Sequence, residues 1–373
     1  MKDSRYPIRR VYQVLPSFTA RDAIGTDTRM IDEYLKKKGI PSGIYYGDVG
    51  QPNLSKPVSE MADRFMNETL VIYHFSISSN LAYYLSGLHC KIWTRYHNIT
   101  PPHFFNNQSE GLVGEICSDG RKQIPFVSAI SDLVIADSVY NGEEMRPFTK
   151  APIYTLPIFR DYQALTNLPE DKEMLGRLKS ISDPILLFVG RVAPNKCQHD
   201  LVQLAYLYRK VTGKRVRVVL AGSFFSVDYR KAITSFGNAL SMVTSEKFDR
   251  DADVMVLGSV SDGELATLYR HSAAFVSMSE HEGFGVPLAE SLWFGLPVIA
   301  HASSAVAETL GGAGLVVDKA DWLGVVNALN LILTEGCPET IRSQMTIRRN
   351  QLSAATSECS LQSIIDKHVL PMW

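Results

Sequence analysis

Long apolar runs are missing from this sequence. No stretch of about 18 apolar residues occurs, so no transmembrane helix is expected. The opening MKDSRYPIRRVYQVLPSF has no apolar segment of the length a secretory signal needs. Charge of one sign is also missing: 38 Lys plus Arg meet 39 Asp plus Glu, a formal net charge of −1. No overall basic field therefore argues for nucleic acid. The five cysteines (Cys90, Cys117, Cys197, Cys337, Cys359) are scattered, odd in number and never paired as CxxC. Neither a disulfide framework nor a zinc site is indicated, and a reducing, cytoplasmic setting is expected. No GxGxxG follows a strand candidate, which speaks against a dehydrogenase. There is no fixed-period repeat and no low-complexity tract. Peripheral contact with the inner face of a cytoplasmic membrane stays open, because Lys36, Lys37 and Lys38 close the first helix candidate. The same lysines equally suit a helix dipole.

What is present is ordinary globular material, 45% hydrophobic and 21% charged over 373 residues, enough for two domains. Apolar, β-branched runs read as strands at Val11–Leu15, Ser42–Tyr46, Leu70–His74, Lys91–Tyr96, Leu133–Ala136 and Pro152–Leu156. A second set follows at Ile185–Val189, Arg215–Ala221, Val254–Leu257, Ala273–Val276, Pro297–Ala300 and Gly314–Val317. Helical patterns fall between them, among them Thr28–Lys38, Gln198–Val211, Gly263–His271, Pro287–Phe294, Ala305–Leu310 and Asp321–Thr334. Such alternation predicts an α/β fold with parallel sheets covered on both faces. About twelve strands exceed one such sheet, so two Rossmann-like halves are expected, dividing within LPIFRDYQALTNLPED. The expected boundaries are 1–160, 161–351 and a final segment 352–373 that packs back toward the first half. Doubly wound sheets bind ligands beyond the carboxyl ends of their strands. If the two crevices face each other, the ligand lies between the halves.

The chemistry-bearing residues cluster just after strand candidates. In ILLFVGRVAPNKCQHDL, Arg191 and Lys196 follow a strand and precede a helix. Two cations there suit a diphosphate, or are surface charges in a loop. In SEHEGFGVPLAESLWFGLPVIA, seven residues separate Glu282 from Glu290. Gly283 and Gly285 permit close backbone approach, and Pro287 suits a first helical turn. That helix start would offer N–H groups to a phosphate. Glu282 could hold a hexose and Glu290 a ribose through paired hydroxyls. Alternatively, Glu290 is solvated and Glu282 only complements the dipole.

The Glu–seven–Glu stretch, FVGR with Arg191 and Lys196, and VLGSVSDGELATLYRHSAAFVSMS together resemble the retaining glycosyltransferases of family four, with the GT-B fold. The resemblance is strong over Ile185–Val317 and weaker before it. It implies a first domain that binds acceptor, a second that binds a nucleotide sugar, and a C-terminal crossover helix. Backbone at Ser259, Val260, Gly283, Phe284, Gly285 and Val286 would then lie along the donor, with Arg191, Lys196, Glu282 and Glu290. In SFTARDAIGTDTRMIDEYL, Gly25 resembles the family's N-terminal glycine loop. In KIWTRYHNITPPHFF, His97 occupies the position of a histidine that contacts the donor sugar, with Asn98 where aspartate is more usual. His74, at the strand end within LVIYHFSIS, and Asn98 are acceptor-side candidates, although a lone histidine is more often structural.

Asp251-Ala252-Asp253 reads like a metal-binding DxD, but no companion pattern surrounds it. Cations and helix dipole can neutralise a diphosphate, so no metal and no cofactor are expected. The implied activity is hexose transfer, mannose favoured, from GDP-mannose or a UDP-hexose to a glycan or lipid-linked glycan. Surface polysaccharide (O-antigen, exopolysaccharide) is the expected setting, and closure around the donor is expected. A nucleotide-sugar 2-epimerase and a non-catalytic binding protein on the same fold are the alternatives.

Overall fold

The computed structural model describes residues 8–20, 22–61, 66–105, 111–224, 227–244, 253–356 and 358–368. The chain forms two compact units. The first comprises Met1–His103, Leu112–Arg160 and Gln351–Trp373; the second comprises Phe104–Gly111 and Asp161–Asn350.

The first unit holds a seven-stranded sheet. Its strands are β1 (Arg10–Ser17), β2 (Ser42–Val49), β3 (Lys56–Pro57), β4 (Thr69–Phe75), β5 (Lys91–Tyr96), β6 (Leu133–Ala136) and β7 (Ile153–Thr155). The order is β3-β2-β1-β4-β5-β6-β7, and all neighbours are parallel. Every residue of β4 is buried, as a strand covered on both faces requires. β3 has no counterpart among the sequence expectations; two residues ending in Pro57 carry no periodicity, and proline is tolerated only at such an edge.

The second unit holds a six-stranded sheet of β8 (Ile185–Val189), β9 (Arg217–Ala221), β10 (Val254–Gly258), β11 (Ala274–Ser277), β12 (Val298–His301) and β13 (Leu315–Val317). The order is β10-β9-β8-β11-β12-β13, again parallel throughout. Leu186, Val218, Leu220, Val276 and Ile299 are fully buried in its core. Each such side chain contributes about 2 kcal/mol of burial. Both sheets reverse their strand order once, at β1/β4 and at β8/β11. Those reversals are where loops leave in opposite directions and open a crevice at the carboxyl ends.

Three other features bear on function. The first helix is Ala23–Lys37, starting five residues before the expected Thr28, because Asp22 caps it by accepting from Gly25 N–H at 2.7 Å. Gly25 is thus inside the first helical turn and not in the loop where it was expected. The final helix, Glu358–His368, buries Leu361, Ile364 and Ile365 among Ile8, Leu35 and Trp93 of the first unit. Its Gln362 meets the Tyr34 hydroxyl, and His368 lies 2.7 Å from the Tyr154 hydroxyl. Pro371 and Trp373 lie outside the described residues. Among the described residues, no helix is long and apolar enough to cross a membrane.

The strand ends of the second unit are sealed by close backbone packing. Gly222 follows β9 with φ +148°, and a Cβ there would sit 2.0 Å from the Gly190 carbonyl oxygen. Gly222→Ala is expected to cost at least about 2 kcal/mol through clash and backbone strain. Gly263→Ala, in the helix Asp262–His271 with no atom within 4 Å of its Cβ position, is expected to be neutral or slightly stabilising. Chemical denaturation of both variants checks the contrast; equal losses would contradict it.

Candidate functional site

The β8/β11 reversal brings the two motifs of the second half together. After β8 the chain passes Gly190 and Arg191 and makes a short 3-10 turn, Pro194–Lys196. After β11 it runs through Ser279–Gly285 into the helix Val286–Trp293. Gly285 caps that helix at φ +86°, a left-handed conformation, with a Cβ position only 2.8 Å from Leu288. Proline occupies the first turn, as its locked φ favours.

The loop 279–285 is tied down on two sides. Toward β8, Lys196 Nζ lies 2.7 Å from Glu282 Oε1 and donates to the His281 carbonyl at 3.2 Å. Glu280 N–H donates to the Asn195 carbonyl at 2.9 Å. Toward β12, Glu282 N–H donates to Ser304 Oγ at 2.7 Å and Ser303 Oγ donates to the Ser279 carbonyl at 2.6 Å. Lys319, after β13, adds a third tie by bonding both Glu280 and Asp200, the latter at 3.0 Å. Burial works against the Lys319 charge, but its carboxylate partners outweigh it and raise its pKa above the ordinary lysine value.

The tied loop keeps open donors. Among the described residues, the N–H groups of Phe284 and Gly285 meet no acceptor. Phe284 itself is buried, and its carbonyl accepts from Thr309 Oγ1, which anchors the loop. Arg191 is exposed, and its carbonyl accepts from Gln198 Nε2 at 2.9 Å. Ser259 is exposed and Val260 half-buried just beyond β10. Arg191, Lys196, Glu282, Gly283, Phe284, Gly285 and Val286 therefore gather at one sheet reversal, and Ser259–Val260 lie at the carboxyl end of the same sheet.

Glu290 corrects the solvated alternative. It is 4% exposed, one turn into the helix, and accepts from the Tyr269 hydroxyl at 2.8 Å. A carboxylate needs such a partner to remain buried.

In the first unit His74 and His97 end neighbouring strands, stacked with ring centroids 5.2 Å apart. His74 Nδ1 and His97 Nε2 are 2.9 Å apart. His74 Nε2 reaches Gln13 Oε1 at 3.0 Å, and His97 Nδ1 reaches Asp137 Oδ2 at 2.9 Å. Both rings are buried and all four nitrogens are engaged, so neither has a nitrogen left for a sugar or an acceptor in this arrangement. Asn98 is also spent internally: Nδ2 donates to Asn141 Oδ1 at 2.8 Å and Glu144 Oε2 at 3.0 Å. Its φ of +70° is one asparagine tolerates. The Gly25 N–H is taken by Asp22, and a Cβ there would meet the Thr19 carbonyl at 1.9 Å, so this glycine serves loop–helix packing.

The sequence reading missed Arg95, Asp27 and Asp137. Arg95 is fully buried, bidentate on Asp27 at 3.0 and 3.1 Å, and 3.2 Å from Asp137 Oδ1. Burial opposes its charge, yet Asp27 and Asp137 outweigh that and raise its pKa above the ordinary value. An arginine inside an otherwise apolar strand was the available signal, since a buried cation demands carboxylates. Asp251 and Ala252 of the DxD-like triplet lie outside the described residues; Asp253 pairs with Arg215 at 2.7 Å.

Lys196 and Glu282 are 20% and 14% exposed, so their attraction is only partly screened. A double-mutant cycle of Lys196→Met with Glu282→Gln is expected to give a coupling of about 0.5–3 kcal/mol in thermal or denaturant stability. Strict additivity would contradict the tie.

Residues 176–351 match the family model of glycosyl transferases group 1. The chain is 31% identical over 135 residues to O-antigen chain mannosyltransferase B of Escherichia coli, covering 36% of this chain and 33% of that protein. It is 30% identical over 155 residues to D-inositol 3-phosphate glycosyltransferase of Nocardia farcinica (strain IFM 10152), covering 39% and 33%. The matches thus span a third of each curated relative. Among solved structures, sucrose-phosphate synthase (tll1590) from Thermosynechococcus elongatus aligns with a TM-score of 0.70 at 16% identity, covering 96% of this chain and 99% of that one. Anabaena Alr3699/HepE in complex with UDP-glucose aligns with a TM-score of 0.69 at 15% identity, covering 97% and 99%. The two Rossmann-like units are those of the GT-B fold, and residues 176–351 are similar to glycosyl transferases group 1.

Proposed function

We propose that this protein is a retaining glycosyltransferase that moves a hexose from a nucleoside diphosphate sugar to a glycan or lipid-linked glycan. The observation that carries the reading is the tied loop at β8/β11, where Lys196, Glu282 and the unpaired N–H groups of Phe284 and Gly285 converge. Charge develops on the leaving diphosphate as the anomeric C–O bond breaks. Lys196, Arg191 and the helix start are fixed donors for that charge, and one such donor is worth about 3 kcal/mol at the barrier. Glu282 and Glu290 hold hydroxyls of the sugar and of the ribose. No second carboxylate is needed as a nucleophile. The leaving phosphate oxygen takes the acceptor hydroxyl's proton, and the new bond forms on the face from which the diphosphate departs. Metal is dispensable because the protein supplies the positive charge.

The mannosyltransferase similarity from Escherichia coli supports mannose as the sugar and surface polysaccharide as the setting, and GDP-mannose is the donor we propose. The inositol-phosphate glycosyltransferase similarity supports the same class of transfer to a different acceptor. A UDP-hexose is the second reading for the donor.

Glu282→Ala and Lys196→Ala are each expected to cut turnover at least about 100-fold with the fold retained by circular dichroism. Near-normal rates in both would remove the site assignment. In thermal shift, GDP is expected to raise the melting temperature more than UDP, following RT ln(1 + [L]/Kd); the reverse order selects the UDP-hexose reading. Donor incubated without acceptor is expected to stay intact by NMR, whereas an epimer would identify an epimerase.

A further inference from the structure

The buried polar chain of the first unit contains more hydrogen bonds than two neutral histidines can supply. It starts at the Thr28 carbonyl, which only accepts. Gln13 Nε2 donates to it at 2.8 Å, and this fixes the amide orientation. Gln13 Oε1 is then an acceptor facing His74 Nε2 at 3.0 Å, so His74 carries hydrogen on Nε2. At the far end, Asp137 Oδ2 faces His97 Nδ1 at 2.9 Å. Between these, His74 Nδ1 and His97 Nε2 share one hydrogen across 2.9 Å. The three contacts need three protons. Two neutral imidazoles and a carboxylate bring two.

Charge counting gives the same answer by a separate route. Asp27 and Asp137 contribute two negative charges, with side chains 0% and 1% exposed. Arg95, 1% exposed, contributes one positive charge. One buried carboxylate is left uncompensated unless a further proton is present, and isolated buried charge is strongly disfavoured.

We propose that the His74–His97 pair is a proton-binding site that holds one extra proton at neutral pH as the counter-charge of Asp137. The proton rests on His97. Burial, and then the neighbouring His97, push the His74 pKa well below the ordinary imidazole value, so His74 is the neutral partner. The groups facing the pair are Gln13 from β1, Asp27 from the helix Ala23–Lys37, Arg95 from β5, and Asp137 after β6. Just beyond, Glu144 holds Asn98, and Arg121 binds both Glu144 and the Ile99 carbonyl. His97 is a positioning residue: its backbone N–H donates to the Phe75 carbonyl at 3.0 Å, and its ring contacts His74 and Asp137, so the residue joins the ends of β4, β5 and β6.

A metal is the competing occupant, since one ligand atom each from Asp27, His74 and His97 lie within 4.8 Å of one another. The donor set argues against it. The facing nitrogens are at hydrogen-bond distance, and both Asp27 oxygens are taken by Arg95, whose own charge repels a cation.

The sign of the pH effect follows. An unfolded histidine gives up its proton through about pH 6.5, while the folded pair keeps one above that. The folded state then binds more protons, so stability of the first unit falls as pH rises, with the opening equilibrium growing up to about tenfold per pH unit.

Nitrogen-15 NMR of the imidazoles in the full-length protein tests this. At about pH 8, where ordinary histidines are neutral, one ring with both nitrogens protonated is expected, hydrogen-bonded to a second imidazole. Asp137→Asn is expected to abolish that signal while amide exchange still reports a folded sheet. In the native protein, exchange protection of β4 and β5 is expected to drop with pH more steeply than in His97→Gln. A spectrum with every ring neutral at that pH overturns the proposal, and so does a doubly protonated ring that persists in Asp137→Asn. Zinc chloride binding at one equivalent with loss of the shared imidazole proton overturns it as well. If the variants fail to fold, the native spectrum alone decides.

Discussion

The Lys196–Glu282 ion pair is the constraint on which the candidate site depends. It spans the one place in the second sheet where strand order reverses, and it joins two loops that are 86 positions apart in sequence (282 − 196). Without it the loop 279–285 would keep toward β8 the hydrogen bonds to the Asn195 carbonyl and from Lys196 to the His281 carbonyl, but no side-chain tie at Glu282. With it, the carboxylate, the ammonium and the open N–H groups of Phe284 and Gly285 are fixed before any ligand arrives. Fixed dipoles need no reorganisation when charge develops, which is why preorganisation lowers barriers. A diphosphate that takes a hydrogen bond from Lys196 must share the ammonium with Glu282.

The two units treat polar groups in opposite ways. In the second, the loop after β11 leaves backbone donors unmatched at a helix start, a state that suits an anion. In the first, Gln13, His74, His97, Arg95, Asp27 and Asp137 Oδ2 engage one another inside the fold, while among the described residues Asp137 Oδ1 has only its ion pair with Arg95. Such a network fixes the strand ends relative to each other, because losing any member leaves a buried charge or donor unpaired. Polar residues at strand ends thus have two distinct uses here, ligand reception and internal locking, and sequence position does not separate them.

The fold was largely legible. Continuous apolar strands alternating with amphipathic helices can only be buried in doubly covered parallel sheets, and Lys91–Tyr96, Leu133–Ala136 and Ile185–Val189 have the same limits in the structure as in the sequence. The miss at the first helix has a local cause: Gly25 looked like a loop residue, while the Asp22 cap that starts the helix gives no periodic signal. The convergence of Arg191, Lys196 and Glu282–Val286 was legible because each follows a strand. Ser304 and Lys319 were not, since their roles come from β12 lying beside β11 and β13 beside β12. His97 and His74 were noticed as histidines at strand ends, but only the positions of Gln13 and Asp137 reveal that all their nitrogens are used internally.

The most direct measurement of the central claim is a crystal structure of the full-length protein with a nucleoside diphosphate bound. The account predicts the terminal phosphate within hydrogen-bond distance of Lys196 Nζ and of the Phe284 and Gly285 N–H groups, with Glu282 beside it. A well-ordered diphosphate bound elsewhere, with Lys196 and Glu282 still closed on each other and the loop donors facing water, would contradict it.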